Sequence, residues 1–394
     1  MSNNTDLTPS LISKETLLML ANNTVAAGKV NRKFENQFVK IGSTLTIRKP
    51  NRFKVTSGPG LAIQDITEPS TSITISNQKH VDFQFSQQEL TLVIEEFSER
   101  YLKPAAEELA NQLDFDLITN FQSVSNIVGT PGTIPANFAA LAAVGQRMDE
   151  NAAPQERCLI LNPAAYWSMA SGLSGLYVQA VAQPALKGYL ANIANFEIYQ
   201  DQNVQNQTVG AYAGSGVTNG AGQTGSSLVT NGWTASITGL LNVGDVFTIA
   251  GVFNVNPKNR QSTGTLKNFT LSATASSDSG GNATLQIIPA IVTTGAYQNV
   301  SNAPASGAAL VVKTGTASTT YANNIGFVRD TFGLVTVPMN VPANQVFGAS
   351  EEYKGLSLRI LRAYDIQNDV EPCRVDLLYG TTTFYEETGC RLTN

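Results

Sequence analysis

The sequence predicts an α+β protein in which a small all-β domain is inserted into another domain. Three observations carry this. Residues 201–320 hold seven formal charges in 120 positions (Asp201, Asp245, Lys258, Arg260, Lys267, Asp278 and Lys313), and the rest is mainly Gly, Ser, Thr, Asn, Ala and Val in short alternating runs. A charged, helix-forming stretch at 95–116 precedes this block. After it, around Arg329, charged residues and aromatics return, with longer and more apolar runs.

Thr8-Pro9-Ser10 reads as a helix start. Leu11, Ile12, Leu17, Leu18, Leu20 and Ala21 follow at helical spacing, and the helix fades at Asn22-Asn23 or by Gly28. So narrow an apolar face does not hold a helix alone; it requires a partner surface, its own or a neighbour's. Residues 37–94 read as extended, because Leu45 and Ile47, then Ile73 and Ile75, alternate with polar residues. Between them Gly58-Pro59-Gly60 is a strong turn signal. The expectation is a long two-stranded arm with a polar tip, marginal as an isolated hairpin, carrying Arg52 and Lys54 on one limb and Asp65 and Glu68 on the other.

Residues 95–124 predict the clearest helix, with Tyr101, Ala105, Leu109 and Leu113 in one apolar stripe joined by Ala106, Leu117 and Phe121. Pro104, followed by Glu107 and Glu108, marks a boundary or kink. A second helix is expected from Asn137 to near Pro154, a short strand at 158–161, a helical start after Asn162-Pro163, and a strand at 196–199. In the neutral block, 210–226 reads as a Gly/Ser/Asn linker. Strands are expected at 234–237, 246–249, 269–273, 285–288 and 310–312, forming a small barrel or sandwich. Strands of a buried sheet are then expected at 327–328, 335–337, 356–361 and 375–379.

Composition excludes several function classes. A net charge of −5 and no basic run do not suit a nucleic-acid binder. Cys158, Cys373 and Cys390 form neither a CxxC pair nor a disulfide framework, so a reducing compartment is expected. No signal peptide is visible at 1–7, and no apolar run is long enough to span a membrane; folding in a cytoplasm is expected. The single histidine, His80, lies in an alternating run and reads as a solvated strand residue. Gly172-Leu173-Ser174-Gly175 lacks the spacing of a nucleophile elbow, and no zinc, calcium or P-loop pattern occurs. Glu95-Glu96, Glu107-Glu108, Glu351-Glu352 and Glu386-Glu387 are paired carboxylates; the helical pairs read as a solvated face or as contacts to basic groups on another subunit. Trp167 and Trp233 are assigned to core or sheet packing, and Cys158 to a buried thiol. No enzyme activity, cofactor or metal is expected.

Four stretches, 30–53, 100–118, 242–252 and 322–339, together with the closing 373–392, resemble the major capsid (coat) proteins of tailed bacteriophages. The branch they resemble carries an inserted β domain and is typified by Salmonella podophage coat proteins. The resemblance implies a Hong Kong 97-type fold. Its parts would be an N-terminal arm (1–44), an extended loop (45–94), a spine helix (95–126), peripheral and axial domains (127–209 and 322–394) and the inserted β domain (210–321). It implies a structural role: hexamers and pentamers of one chain close an icosahedral shell around double-stranded DNA held non-specifically. Such shells form first around a scaffolding protein in the host bacterial cytoplasm and carry a portal protein at one vertex, with no membrane partner. Some relatives cross-link a lysine to an asparagine; no such pair is matched, although Lys54 and Lys79 lie in or near the loop, and none is expected. Contacts between subunits are expected to pair Arg52 and Lys54 of the loop with Glu95, Glu99 and Glu107 of the spine, with Asp65 and Glu68 on the opposite limb. The alternatives are a phage tail or tube protein and an extracellular β-rich carbohydrate-binding protein.

Overall fold

The computed structural model describes residues 9–33, 44–61, 63–64, 66, 68–86, 101–173, 192–343, 347–353, 356–368 and 370–394. The chain divides into two compact units, each assembled from three separated segments.

The first unit comprises Met1–Ile47, Ser70–Leu117 and Phe332–Thr382. Its sheet runs Phe332–Thr336, Val370–Thr383, Leu356–Arg362, Phe347–Tyr353, and Asn77–Ser86 lies antiparallel along Val370–Tyr379. The N-terminal helix, Pro9–Asn23, packs on Phe347–Tyr353 and Leu356–Arg362. Leu17 and Leu20 are wholly buried there. Of the two partner surfaces the sequence left open, its own or a neighbour's, this helix uses its own chain. Its end is tied down by the buried Asp114 of the long helix Lys103–Ile118: Asp114 Oδ2 accepts the Val25 N–H at 2.5 Å and Oδ1 the Ala27 N–H at 2.8 Å. Three carboxylate–amide contacts (Ala26 N–H is the third) satisfy consecutive N–H groups of the turn that follows the helix.

The long helix begins its regular α turns at Lys103, so Pro104 falls in the first turn, where its missing N–H is tolerated. Ala105, Ala106, Leu109, Leu113 and Leu117 are buried, as the spacing predicts. Tyr101 departs from the expected stripe: it is 43% exposed and stacks on Phe83.

The second unit comprises Arg48–Pro69, Ile118–Thr331 and Thr383–Asn394. One sheet runs Ile127–Val128, Cys390–Thr393, Thr320–Val328, Arg157–Leu161, Phe196–Gln200. Its outer pairs are parallel and its inner pairs antiparallel. Helix Phe138–Glu150 starts at Asn137, whose side chain accepts the Ala140 N–H. It and helix Pro163–Leu173 share a core with this sheet through Leu141, Met148, Leu159, Tyr166, Met169 and Phe196. Trp167 is not in that core as expected; it is 57% exposed, edge-on to Tyr166, because the helix turns Tyr166 inward instead.

The neutral block forms six antiparallel strands in the order Leu310–Val312, Val246–Val255, Ser262–Leu271, Ala283–Ile291, Gly225–Trp233, Gly214–Thr218. The Val217↔Ala309 bridge and the Thr218 N–H to Ala308 O bond join the first strand to the last, so the sheet closes as a barrel. Its interior holds Trp233, Phe247, Ile249, Phe269, Leu271 and Leu285. Two expectations are corrected here. Residues 210–226 are not a linker, since Gly214–Thr218 is a barrel strand. Residues 234–237 are not a strand; the strand is Gly225–Trp233, just before them. A Cβ on Gly216 would meet the Trp233 ring at 2.1 Å, so the glycine that reads as linker is what lets the indole pack against the strand.

Two buried charges fasten this block within the unit. Asp245 Oδ2 accepts the N–H of Gly210 at 2.9 Å and of Asn242 at 2.8 Å, while Oδ1 accepts from Gln207 Nε2 and Thr314 Oγ1. It thus gathers the chain where it enters and where it leaves the barrel. Burial pushes its carboxyl up and these hydrogen bonds oppose the rise. Arg391 donates to Gly244 O at 2.6 Å, to Gln122 O at 2.8 Å and to Thr270 Oγ1 at 3.1 Å, and lies over the Phe121 ring. Burial brings its guanidinium down to about 9.

Candidate assembly interface

The extended loop is launched from a short ladder, Thr44–Arg48 against Ser70–Thr74. Within the second unit, the Lys49 N–H donates to Pro69 O at 2.8 Å, and Arg48 pairs with Glu68 at 3.0 Å. Between Lys49 and Pro69 the described residues hold no strand, and Asn77–Ser86 pairs with Val370–Tyr379 instead of with the first limb, which corrects the long two-stranded arm. Pro50, Pro59 and Pro69 lack the N–H that a ladder needs. One side chain replaces it: Gln64 accepts the Lys54 N–H at 2.8 Å and donates back to the Lys54 carbonyl. The tip turns at Gly58, whose φ of 109° suits glycine, with open space around it.

The loop is not polar, as expected from its charges, but apolar. Phe53 is 64% exposed, Val55 93%, Leu61 90%, Ile63 84% and Ile66 73%. Five large apolar side chains on one excursion are more than a solitary subunit tolerates without a partner. Sequence reasoning missed them, although all five stand between Arg52 and Glu68 in the sequence.

The predicted contact residues separate into three groups. Arg52 is not a free charge at the tip: it sits at the loop base, paired with Glu387 at 2.5 Å and over the Tyr297 ring. Glu68 is taken by Arg48. Lys54 and Glu107 are both exposed, and Asp65, Glu95 and Glu99 lie outside the described residues. His80 is on an outer strand, exposed, 3.0 Å from Asp82. Asp82 also takes Arg374 at 2.7 Å, and that hydrogen bond holds its carboxyl below the usual range. Among the described residues no group of His, Cys, Asp and Glu is placed to hold a metal, and no helix is long and apolar enough to cross a membrane.

The family model for P22 coat protein, gene protein 5, matches residues 1–394. The chain belongs to that coat protein family. It is a major capsid protein, and it forms the phage shell. No curated protein matches it. Among solved structures, a protein from Mycobacterium phage Che8 is similar with a TM-score of 0.51 at 11% identity, over 94% of this chain and 90% of that one. The capsids of Cyanophage P-SCSP1u (TM-score 0.45, 10% identity, 90% and 83% coverage) and of Ralstonia phage GP4 (TM-score 0.46, 5% identity, 90% and 84%) are also similar. The fold is the phage capsid fold, mixed helix and sheet.

Proposed function

We propose that this coat protein closes its shell by laying loop residues 53–66 against neighbouring copies. The observation that carries this is the exposure of Phe53, Val55, Leu61, Ile63 and Ile66 in a subunit whose N-terminal helix is already covered by its own chain. Burying such a side chain contributes about 1.5–3 kcal/mol, and closed symmetry repeats the contact in every copy. Charges add register rather than affinity, since exposed pairs give about 0–1 kcal/mol. Exposed Lys54 and Glu107 are the described pair open for that role; Asp65, Glu95 and Glu99 complete the set by sequence.

The finer reading follows from the family. The copies form hexamers and pentamers of an icosahedral shell. They assemble on a scaffolding protein in the bacterial cytoplasm, leave one vertex for a portal protein, and enclose double-stranded DNA without specific contacts. Segment 210–321 acts as a domain inserted into peripheral and axial domains at 127–209 and 322–394. The protein builds rather than catalyses. What supports this is the acidic balance of −5 and the separate core of the barrel.

The test is the triple variant Val55→Ser, Leu61→Ser, Ile63→Ser, co-expressed with scaffold. Subunits with unchanged circular dichroism and no closed particles by electron microscopy are expected. Particles of normal size and yield overturn the reading.

A further inference from the structure

We propose that Arg52 is the bolt of a latch that sets the direction of the extended loop before any neighbour arrives. The proposal rests on the loop being the assembly element, and it assigns how that element is aimed.

The loop's ties to the rest of its unit, among the described residues, come from positions 49–52. Lys49 Nζ lies 5.0 Å above the Tyr385 ring. Tyr297 Oη donates to Asn51 Oδ1 at 2.8 Å, and the Arg52 N–H is shared between Asn51 Oδ1 at 3.0 Å and Tyr297 Oη at 3.2 Å. Arg52 Nη2 reaches Glu387 Oε1 at 2.5 Å, and its guanidinium lies 5.8 Å from the Tyr297 ring centroid. Three segments remote in sequence thus meet at one point: the loop base, the loop after strand Ala283–Ile291, and the turn Glu386–Thr388.

This is not an ordinary surface pair. The side chains of Arg52 and Glu387 are 36% and 22% exposed, and they close one side of a cavity of about 320 Å³ whose wall includes Lys267, Asn151, Pro289, Tyr385 and Glu386. Partial burial strengthens a charge-assisted hydrogen bond, and the Tyr297 ring adds a cation–π contact on the same guanidinium. From Phe53 outward the described residues bond only within the loop, as Lys54 does with Gln64. Positions 49–52 are therefore the anchored end of a lever. Movement of the Tyr297 segment is passed to the loop through Arg52.

The experiment is hydrogen exchange on the purified, unassembled full-length subunit, read at the Arg52 amide, with the Leu271 amide of the barrel as internal reference. Arg52→Glu and Glu387→Arg, made singly, are expected to lower protection at the position-52 amide at least tenfold, relative to the intrinsic rate of the residue there, and leave Leu271 unchanged. The combined swap is expected to return that protection to within threefold of the wild type. Tyr297→Phe, which keeps the ring and removes the hydroxyl, is expected to raise exchange at the same amide in a fully folded subunit. Unchanged exchange in the single variants, or a swap no better than either single change, overturns the latch. The readout needs no particle, so failure of the loop as an assembly element shows separately, as normal particles from the serine variant above.

Discussion

Lys267 is a side chain that burial moves well away from its solution chemistry. It is buried, its Nζ donates to Asn254 Oδ1 at 2.9 Å, and burial, helped by the nearby Arg147 charge, pulls it down to about 8. A lysine depressed on folding contributes stability that is present above its unfolded value of 10.5 and is lost as pH falls through about 8. Against Lys267→Met, the wild-type subunit is therefore expected to gain, by up to a few kcal/mol, between pH 8 and 10.5. Urea unfolding at several pH values measures this; parallel pH profiles for the two proteins contradict it. Arg391 predicts a plainer loss. Arg391→Met leaves Gly244 O and Gln122 O without their donors in a buried site. The expected cost is on the order of 3 kcal/mol, seen as a lower urea midpoint, and an unmoved midpoint refutes the fastening role.

The barrel is the element with the sharpest prediction. Gly216→Ala forces the Trp233 indole aside and is expected to destabilise by roughly 1–3 kcal/mol, measured by thermal unfolding followed through tryptophan fluorescence; an unchanged transition contradicts the close approach. With its own core and no open sheet edge, 210–321 expressed alone is expected to give dispersed amide resonances, and a collapsed spectrum counts against its being a domain. Elements with strong local pattern were legible in the sequence: helix Phe138–Glu150 from its Asn137 cap, strand Arg157–Leu161 from its apolar run, Trp233 as core. Gly214–Thr218 was not, because Gly216 makes room for the Trp233 ring seventeen positions away and Gly214 for the backbone of 232–234, and composition alone reads as linker. The Arg52–Glu387 pair was equally hidden, since its partners are 335 residues apart and no local period connects them. The N-terminal helix was read correctly as needing a surface; which surface depends on tertiary packing that spacing does not encode.

At the scale of the whole molecule, the subunit covers its own N-terminal helix and leaves the apolar side chains of its loop exposed. The claim on which this account turns is that loop residues 53–66 are covered only by another copy. An electron cryomicroscopy reconstruction of the assembled shell tests it most directly. The account predicts Val55, Leu61 and Ile63 of each copy buried against a neighbouring copy, with the Arg52–Glu387 pair intact beneath them. A closed shell in which those three side chains face solvent contradicts it.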